Sequence, residues 1–119
     1  MSLVARHLEA VGIPTIVIGS ARDIVEECGV PRFLFVDYPL GNSTGRPFDA
    51  DDQRSIVGLA LDVLESAPFP RTTVQAPNRW PNDEWRAAFM AVTDANRAEL
   101  AAAGERRRAQ QAERAADRS

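Results

Sequence analysis

The sequence predicts a small α/β fold. A short, mainly parallel sheet of about three strands is flanked by helices in a three-layer sandwich, and a long C-terminal helix follows. Three observations carry this expectation. Two brief runs, Ile13–Ile18 and Phe33–Val36, are apolar at consecutive positions and rich in β-branched or aromatic types, as strands covered on both faces are. Between and after them, apolar residues recur at helical spacing. Each strand candidate is also followed by turn-forming residues.

Taken in order, Leu3, Val4, Leu8 and Val11 mark a first helix over 3–11, with Gly12 placed to end it in a left-handed turn. Pro14 is then expected at the start of the first strand, where its missing N–H costs least. Ser20 and Asp23 resemble a capping box opening a second helix, whose Ile24, Val25 and Cys28 should face the sheet. Gly29-Val30-Pro31 supplies a glycine, an apolar residue and a proline, the usual pattern at a helix exit. With the second strand at 33–36 this makes a short crossover unit, expected to be right-handed.

The stretch from Asp37 to Pro47 is long for a plain connection and contains two prolines, two glycines and small polar residues. Asp49 can cap a third helix through about Glu65, in which Ile56, Ala60, Val63 and Leu64 repeat at i, i+4, i+7 and i+8. Thr72–Gln75 reads as a third strand, and Ala76–Pro81 as a loop displaying Trp80. A last helix opens near Asn82 or Asp83 with Trp85, Ala88, Phe89 and Val92 on one stripe. Beyond Leu100 its apolar residues are almost all alanine. One α/β domain is therefore expected over 1–104, with 105–119 a polar helical extension or disordered tail.

Composition bounds the function. At 119 residues and a formal charge of -3, the chain has no general attraction for nucleic acid or an anionic membrane. No apolar run approaches the roughly 20 residues that span a bilayer, and the amino terminus lacks a secretory pattern. With a single cysteine, Cys28, these features point to the cytoplasm. Neither a metal nor an organic cofactor is expected. There is no Gly-x-Gly-x-x-Gly run and no zinc-ligand cluster, and capping accounts for the acids at Asp49, Asp51 and Asp52. His7, the one histidine, lies beside an apolar stripe and reads as structural. Arg79 and Trp80, together with Trp85 and Phe89, are the types enriched in protein interfaces and form the expected partner surface.

Ligands of open α/β sheets bind beyond the carboxyl ends of strands, which singles out the loops starting at Gly19, Asp37 and Gln75. Three segments in this region carry a family likeness: Ala10-Val11-Gly12-Ile13-Pro14-Thr15-Ile16-Val17-Ile18, Gly29-Val30-Pro31-Arg32 and Asp37-Tyr38-Pro39-Leu40-Gly41-Asn42. Their succession resembles the carboxyl-terminal part of the glycine/sarcosine/betaine reductase component B family, which includes D-proline reductase subunits. The likeness covers roughly residues 3–66, and its most specific piece is the Pro-Leu-Gly-Asn loop. It implies reductive cleavage of a carbon–nitrogen bond, in which a selenolate or thiolate attacks the carbon bearing the amine. In the family that nucleophile stands upstream of the Gly-Ile-Pro-Thr strand, a position Cys28 does not match.

The resemblance therefore implies a small subunit of a reductase-like hetero-oligomer acting on a small amino or carboxylate compound. A sister chain carrying a Cys or Sec motif would be its partner, and self-association is also compatible. Asp37, Pro39, Leu40, Gly41, Asn42 and Arg46 would form the substrate loop, with the Gly41 amide and Asn42 side chain gripping a carboxylate and Arg46 adding a bidentate contact. Two other readings stay open: a non-catalytic binding or interaction module, and a small hydrolase using Asp37 and His7.

Overall fold

The computed structural model describes residues 1–88 and 92–117. Phe89, one of the four expected interface residues, lies outside the described residues. The chain divides into two compact units, Met1–Asp83 and Glu84–Ser119.

The first unit is built on three parallel strands, β1 (Val17–Gly19), β2 (Arg32–Phe35) and β3 (Thr72–Gln75), in the spatial order β1-β2-β3. Register pairs Val17 with Phe33 and Phe33 with Thr73. Helices α1 (Ser2–Ala10), α2 (Arg22–Cys28) and α3 (Ala50–Ser66) complete it. The expected α/β architecture is what the chain adopts.

Period-two alternation along β2 sends Phe33 and Phe35 to one face and Leu34 and Val36 to the other. On the first face Phe33 is buried with Ala5 of α1 and Val30, and Val17, Val25 and Phe35 pack around them. On the second, Leu34, Val36 and Tyr38 are buried against Ile56 and Ala60 of α3, with Ile18 and Val74 beside them. Both crossovers step the same way across the sheet, yet α2 and α3 cover opposite faces. The two connections are therefore of opposite hand, so one of them departs from the right-handed rule.

Three local expectations are corrected. The first strand begins at Val17 rather than Ile13, because the Thr15 N–H is donated to the Glu9 carboxylate (2.7 Å) and its hydroxyl to the Ala5 carbonyl (3.1 Å), which ties this segment to α1 instead of the sheet. Opposite it, Pro31 has no N–H to extend the ladder. Pro14 consequently lies before the strand. Ser20 does not cap α2: Ala21 occupies the N-cap position without a side-chain bond, and the Ser20 hydroxyl is directed to the next loop. Ile24 is 63% exposed, so of the expected sheet-facing residues Val25 packs into the core cluster.

Helix α3 starts as expected, with the Asp49 side chain accepting from the Asp52 N–H (3.0 Å). Gly29 ends α2 in the left-handed region at φ 70°. The second unit holds α4 (Glu84–Ala88) and α5 (Arg97–Asp117). Among the described residues no helix is long and apolar enough to cross a membrane.

Candidate functional site

The carboxyl ends of the three strands lie along one edge of the sheet, and the loops leaving them are fastened to one another. The Ser20 hydroxyl after β1 donates to Ser43 Oγ in the loop after β2 (3.3 Å). That second loop folds as consecutive tight turns, with Asn42 N–H bonded to the Pro39 carbonyl and Gly45 N–H to the Asn42 carbonyl (both 3.1 Å). Gly41 and Gly45 have φ of 94° and 128°, a region L side chains rarely adopt.

Asp52 organises this edge. Its carboxylate is 6% exposed and accepts hydrogen bonds from three donors. The Tyr38 hydroxyl lies 2.9 and 3.0 Å from its two oxygens, the Arg46 N–H bonds to Oδ2 (2.9 Å) and the Asn78 amide to Oδ1 (2.8 Å). The Arg46 guanidinium adds its charge, with Nε 3.5 Å from Oδ2 and a closer contact to Asp49 at 2.7 Å. One buried charge thus gathers the loops after β2 and β3 around the start of α3, in the manner a buried ion requires.

Burial pushes the Asp52 carboxyl up, but the Asn78 amide, the Arg46 N–H, the Tyr38 hydroxyl and the Arg46 charge together outweigh it and hold the group below its ordinary value. For Tyr38, burial and the anionic acceptor act in the same direction and raise the phenol from 10.0 to about 12. Both groups keep fixed protonation states near neutrality, so this network shapes the site rather than shuttling protons. A folded-state phenol pKa above the unfolded one gives stability that is complete below 10.0 and is lost as pH rises toward 12. Tyr38→Phe is therefore expected to cost about 1–3 kcal/mol at neutral pH and to flatten the alkaline limb of a melting-temperature profile.

Outside this network an open cleft of about 690 Å³ runs between the loop and α3. Gly41, Asn42 and Thr44 form one wall and Arg54, Val57 and Leu61 the other. Of the expected substrate loop, then, Gly41 and Asn42 reach the cleft. Asp37 and Pro39 are half-buried beneath the turn, and Leu40 is 53% exposed. Arg46 is held by the two aspartates. The side-chain amide of Asn42 makes no hydrogen bond among the described residues.

Of the expected interface residues, Arg79 is exposed and its carbonyl lies 3.5 Å from the Tyr38 hydroxyl. Trp80 is half-buried, packed edge-on against Tyr38 at 5.2 Å between ring centroids, rather than displayed. Trp85, in the second unit, is half-buried beside the Arg86 guanidinium, 4.6 Å from its ring.

Tyr38, Asp52 and Asn78 do not stand out as site residues in the sequence, although its periodicities contain them. Asp52 lies one helical step before Ile56 and Ala60, and Tyr38 continues the alternation of Leu34 and Val36. Cys28 ends α2 at the amino-terminal edge of the sheet, opposite these loops. His7, exposed on α1, stands toward that same far edge, whereas Asp37 follows β2. Among the described residues no group of three or more histidine, cysteine or acidic side chains is placed to hold a metal ion.

The chain is similar to D-proline reductase subunit gamma of Acetoanaerobium sticklandii, with 32% identity over 75 residues. The match covers 63% of this chain and 31% of that protein, so the chain spans under a third of the length of the curated relative it matches. No family model and no solved structure matches it.

Proposed function

We propose that this chain is a component of a reductase-like hetero-oligomer in which it supplies one wall of a site for a small amino or carboxylate compound, while a partner chain supplies the attacking thiolate or selenolate. The observation that carries the reading is the position of Cys28. The chain's single thiol sits on the edge of the sheet opposite the cleft, so a nucleophile reaching a compound in the cleft must come from elsewhere. The similarity to a D-proline reductase subunit supports a reductase-class reaction. In it the partner's thiolate or selenolate would bond to carbon as the carbon–nitrogen bond breaks and the amine leaves. A second thiol of the partner would then release that carbon as C–H while the sulfur or selenium passes into a disulfide or selenosulfide.

In the cleft, the uncommitted Asn42 amide and the Gly41 backbone are the polar groups for a carboxylate. With Arg46 engaged by Asp49 and Asp52, a cation that faces the cleft is Arg54, whose contact to Asp51 is a loose 3.8 Å. Val57 and Leu61 provide the apolar floor that small-molecule sites use.

Purification of the tagged chain from its native host is expected to recover a companion bearing a cysteine or selenocysteine that selective alkylation labels. Recovery of this chain only as a monomer or homodimer overturns the assignment. In the reconstituted assembly, Asn42→Ala and Arg54→Gln should each lower kcat/KM by about tenfold or more, consistent with loss of a hydrogen bond to a charged group, without shifting the melting temperature. Unchanged kcat/KM in both variants removes the cleft from the site.

A further inference from the structure

The opposite edge of the sheet holds a second cleft, of about 570 Å³, that the proposed reductase role does not use. Its lining brings together Arg6 of α1, Arg32 at the start of β2 and Arg71 just before β3, with Glu9 as the one acid among the lining residues. Phe69 and the flanking prolines form its apolar wall, and Phe69 is 61% exposed.

Three guanidinium groups against one carboxylate make this cleft locally cationic in a chain whose formal charge is -3. The single acid is already spent. Glu9 pairs with Arg32 at 2.8 Å and also accepts from Thr15. Arg32 holds its carboxyl below the ordinary value, so it remains an anion matched to Arg32 alone. Arg6 and Arg71 make no ion pair among the described residues. Two planar donor forks are left to the cleft.

Arg71 is held there at a cost. Its φ of 60° is left-handed, a conformation that costs a non-glycine residue of order 1–3 kcal/mol. Its guanidinium lies so close over Gly29 that a Cβ at that position would come within 2.5 Å of Nη2. A cation beside the carboxyl end of α2 accounts for one side of Arg71 through the helix dipole. It leaves Arg6 and the exposed Phe69 without a role.

We infer that this cleft binds a small organic anion, a carboxylate or phosphate carried on a flat apolar body, with Arg6 and Arg71 gripping the anionic group and Phe69 covering the rest. Guanidinium forks match both oxyanions bidentately, and the volume falls within the range of small-molecule sites, roughly 300–1,000 Å³. The site is separate from the loop edge and independent of the reductase assignment.

The test uses the full chain titrated with phenyl phosphate and with benzoate, followed by amide chemical shifts. Inorganic phosphate and benzyl alcohol serve as the charge-only and ring-only controls. Saturable submillimolar binding is expected for at least one aromatic anion, and which of the two binds more tightly identifies the oxyanion. Arg6→Gln and Arg71→Gln should each weaken it by about tenfold, as expected for a lost charge-assisted contact, and Phe69→Ala should weaken the aromatic anion but not inorganic phosphate. Asn42→Ala and Arg54→Gln should leave binding unchanged, which separates this cleft from the other. Absence of saturation at millimolar concentration overturns the inference, as does undiminished binding in an Arg6→Gln/Arg71→Gln double variant that melts normally. A melting shift in Arg71→Gln with unchanged affinity assigns that residue to the helix terminus alone and overturns its role here.

Discussion

Replacing Asp52 with alanine is expected to destabilise the chain by about 3–5 kcal/mol, the range for removing one partner of a buried ionic network. The deletion strands the Tyr38 hydroxyl, the Asn78 amide and the Arg46 N–H, all of which end on this one carboxylate. The Tyr38 hydroxyl is buried and the other two donors are part-buried, and a buried donor's loss of its partner costs of order 1–3 kcal/mol. Partial compensation is available to Asn78, whose amide also bonds Ser55 (2.8 Å), and to Tyr38, whose hydroxyl also reaches the Arg79 carbonyl (3.5 Å). Small domains are stable by only about 5–15 kcal/mol, so this loss is a large fraction of the reserve and the denaturant midpoint should fall in proportion. Asp52→Asn keeps an acceptor oxygen and the volume but not the charge, so a smaller loss is expected. Equal midpoints for Asp52→Ala and the unaltered chain would show that the network contributes nothing.

The same group sets an acid limit. Its folded-state pKa is lowered from 3.8, so the stability it contributes is complete above that value and is lost as pH falls through the lower folded one. Acid unfolding of Asp52→Asn should therefore lack part of the pH dependence seen below about 3.8. A titration of stability from neutral pH downward in the two chains checks this directly.

Why the sequence shows the strands and helices but not this network follows from where each signal lies. Thr72–Gln75 and Asp49 at the start of α3 were legible because β-branched runs and caps are local. Ile13–Ile18 misled because apolar character does not reveal that Thr15 bonds to Glu9 instead of a strand. Ser20 misled for a similar reason, since a capping hydroxyl and one bridging to Ser43 look identical in sequence. In the sequence Asp52 groups with its neighbours at the helix start, although it shares a face with Ile56 and Ala60. Burial of that face predicts a buried carboxylate only if its donors are known, and those come from 6, 14 and 26 residues away. The opposite hands of the two crossovers have no local signal at all. They are set by which face each helix covers once the long segment 36–71 has returned across the sheet.

Gly45→Ala is expected to be the most damaging change of a single methyl group in the loop. At φ 128° alanine is strained by of order 1–3 kcal/mol before any contact is considered. Its Cβ would also meet Gln53 Cα at 2.7 Å and Gln53 N at 2.9 Å, and these are backbone atoms in the first turns of α3 that no rotamer change can move aside. Relief requires the loop to lift, which pulls the Arg46 carbonyl from the Gln53 amide (2.8 Å) and the Arg46 N–H from Asp52. A total near 3–4 kcal/mol is therefore expected, combining backbone strain with stranded partners. Gly41→Ala separates the two contributions, since its φ of 94° is also unfavourable but a Cβ there meets nothing within 4 Å. It should show the strain alone, about 1–2 kcal/mol. Gly58→Ala, in the interior of α3 with open space around the new methyl group, should instead stabilise by about 0.5–1 kcal/mol. Urea midpoints for the three variants should fall in that order. If Gly45→Ala is no worse than Gly41→Ala, the loop is not clamped against α3, and the wall it gives the cleft is not a fixed one.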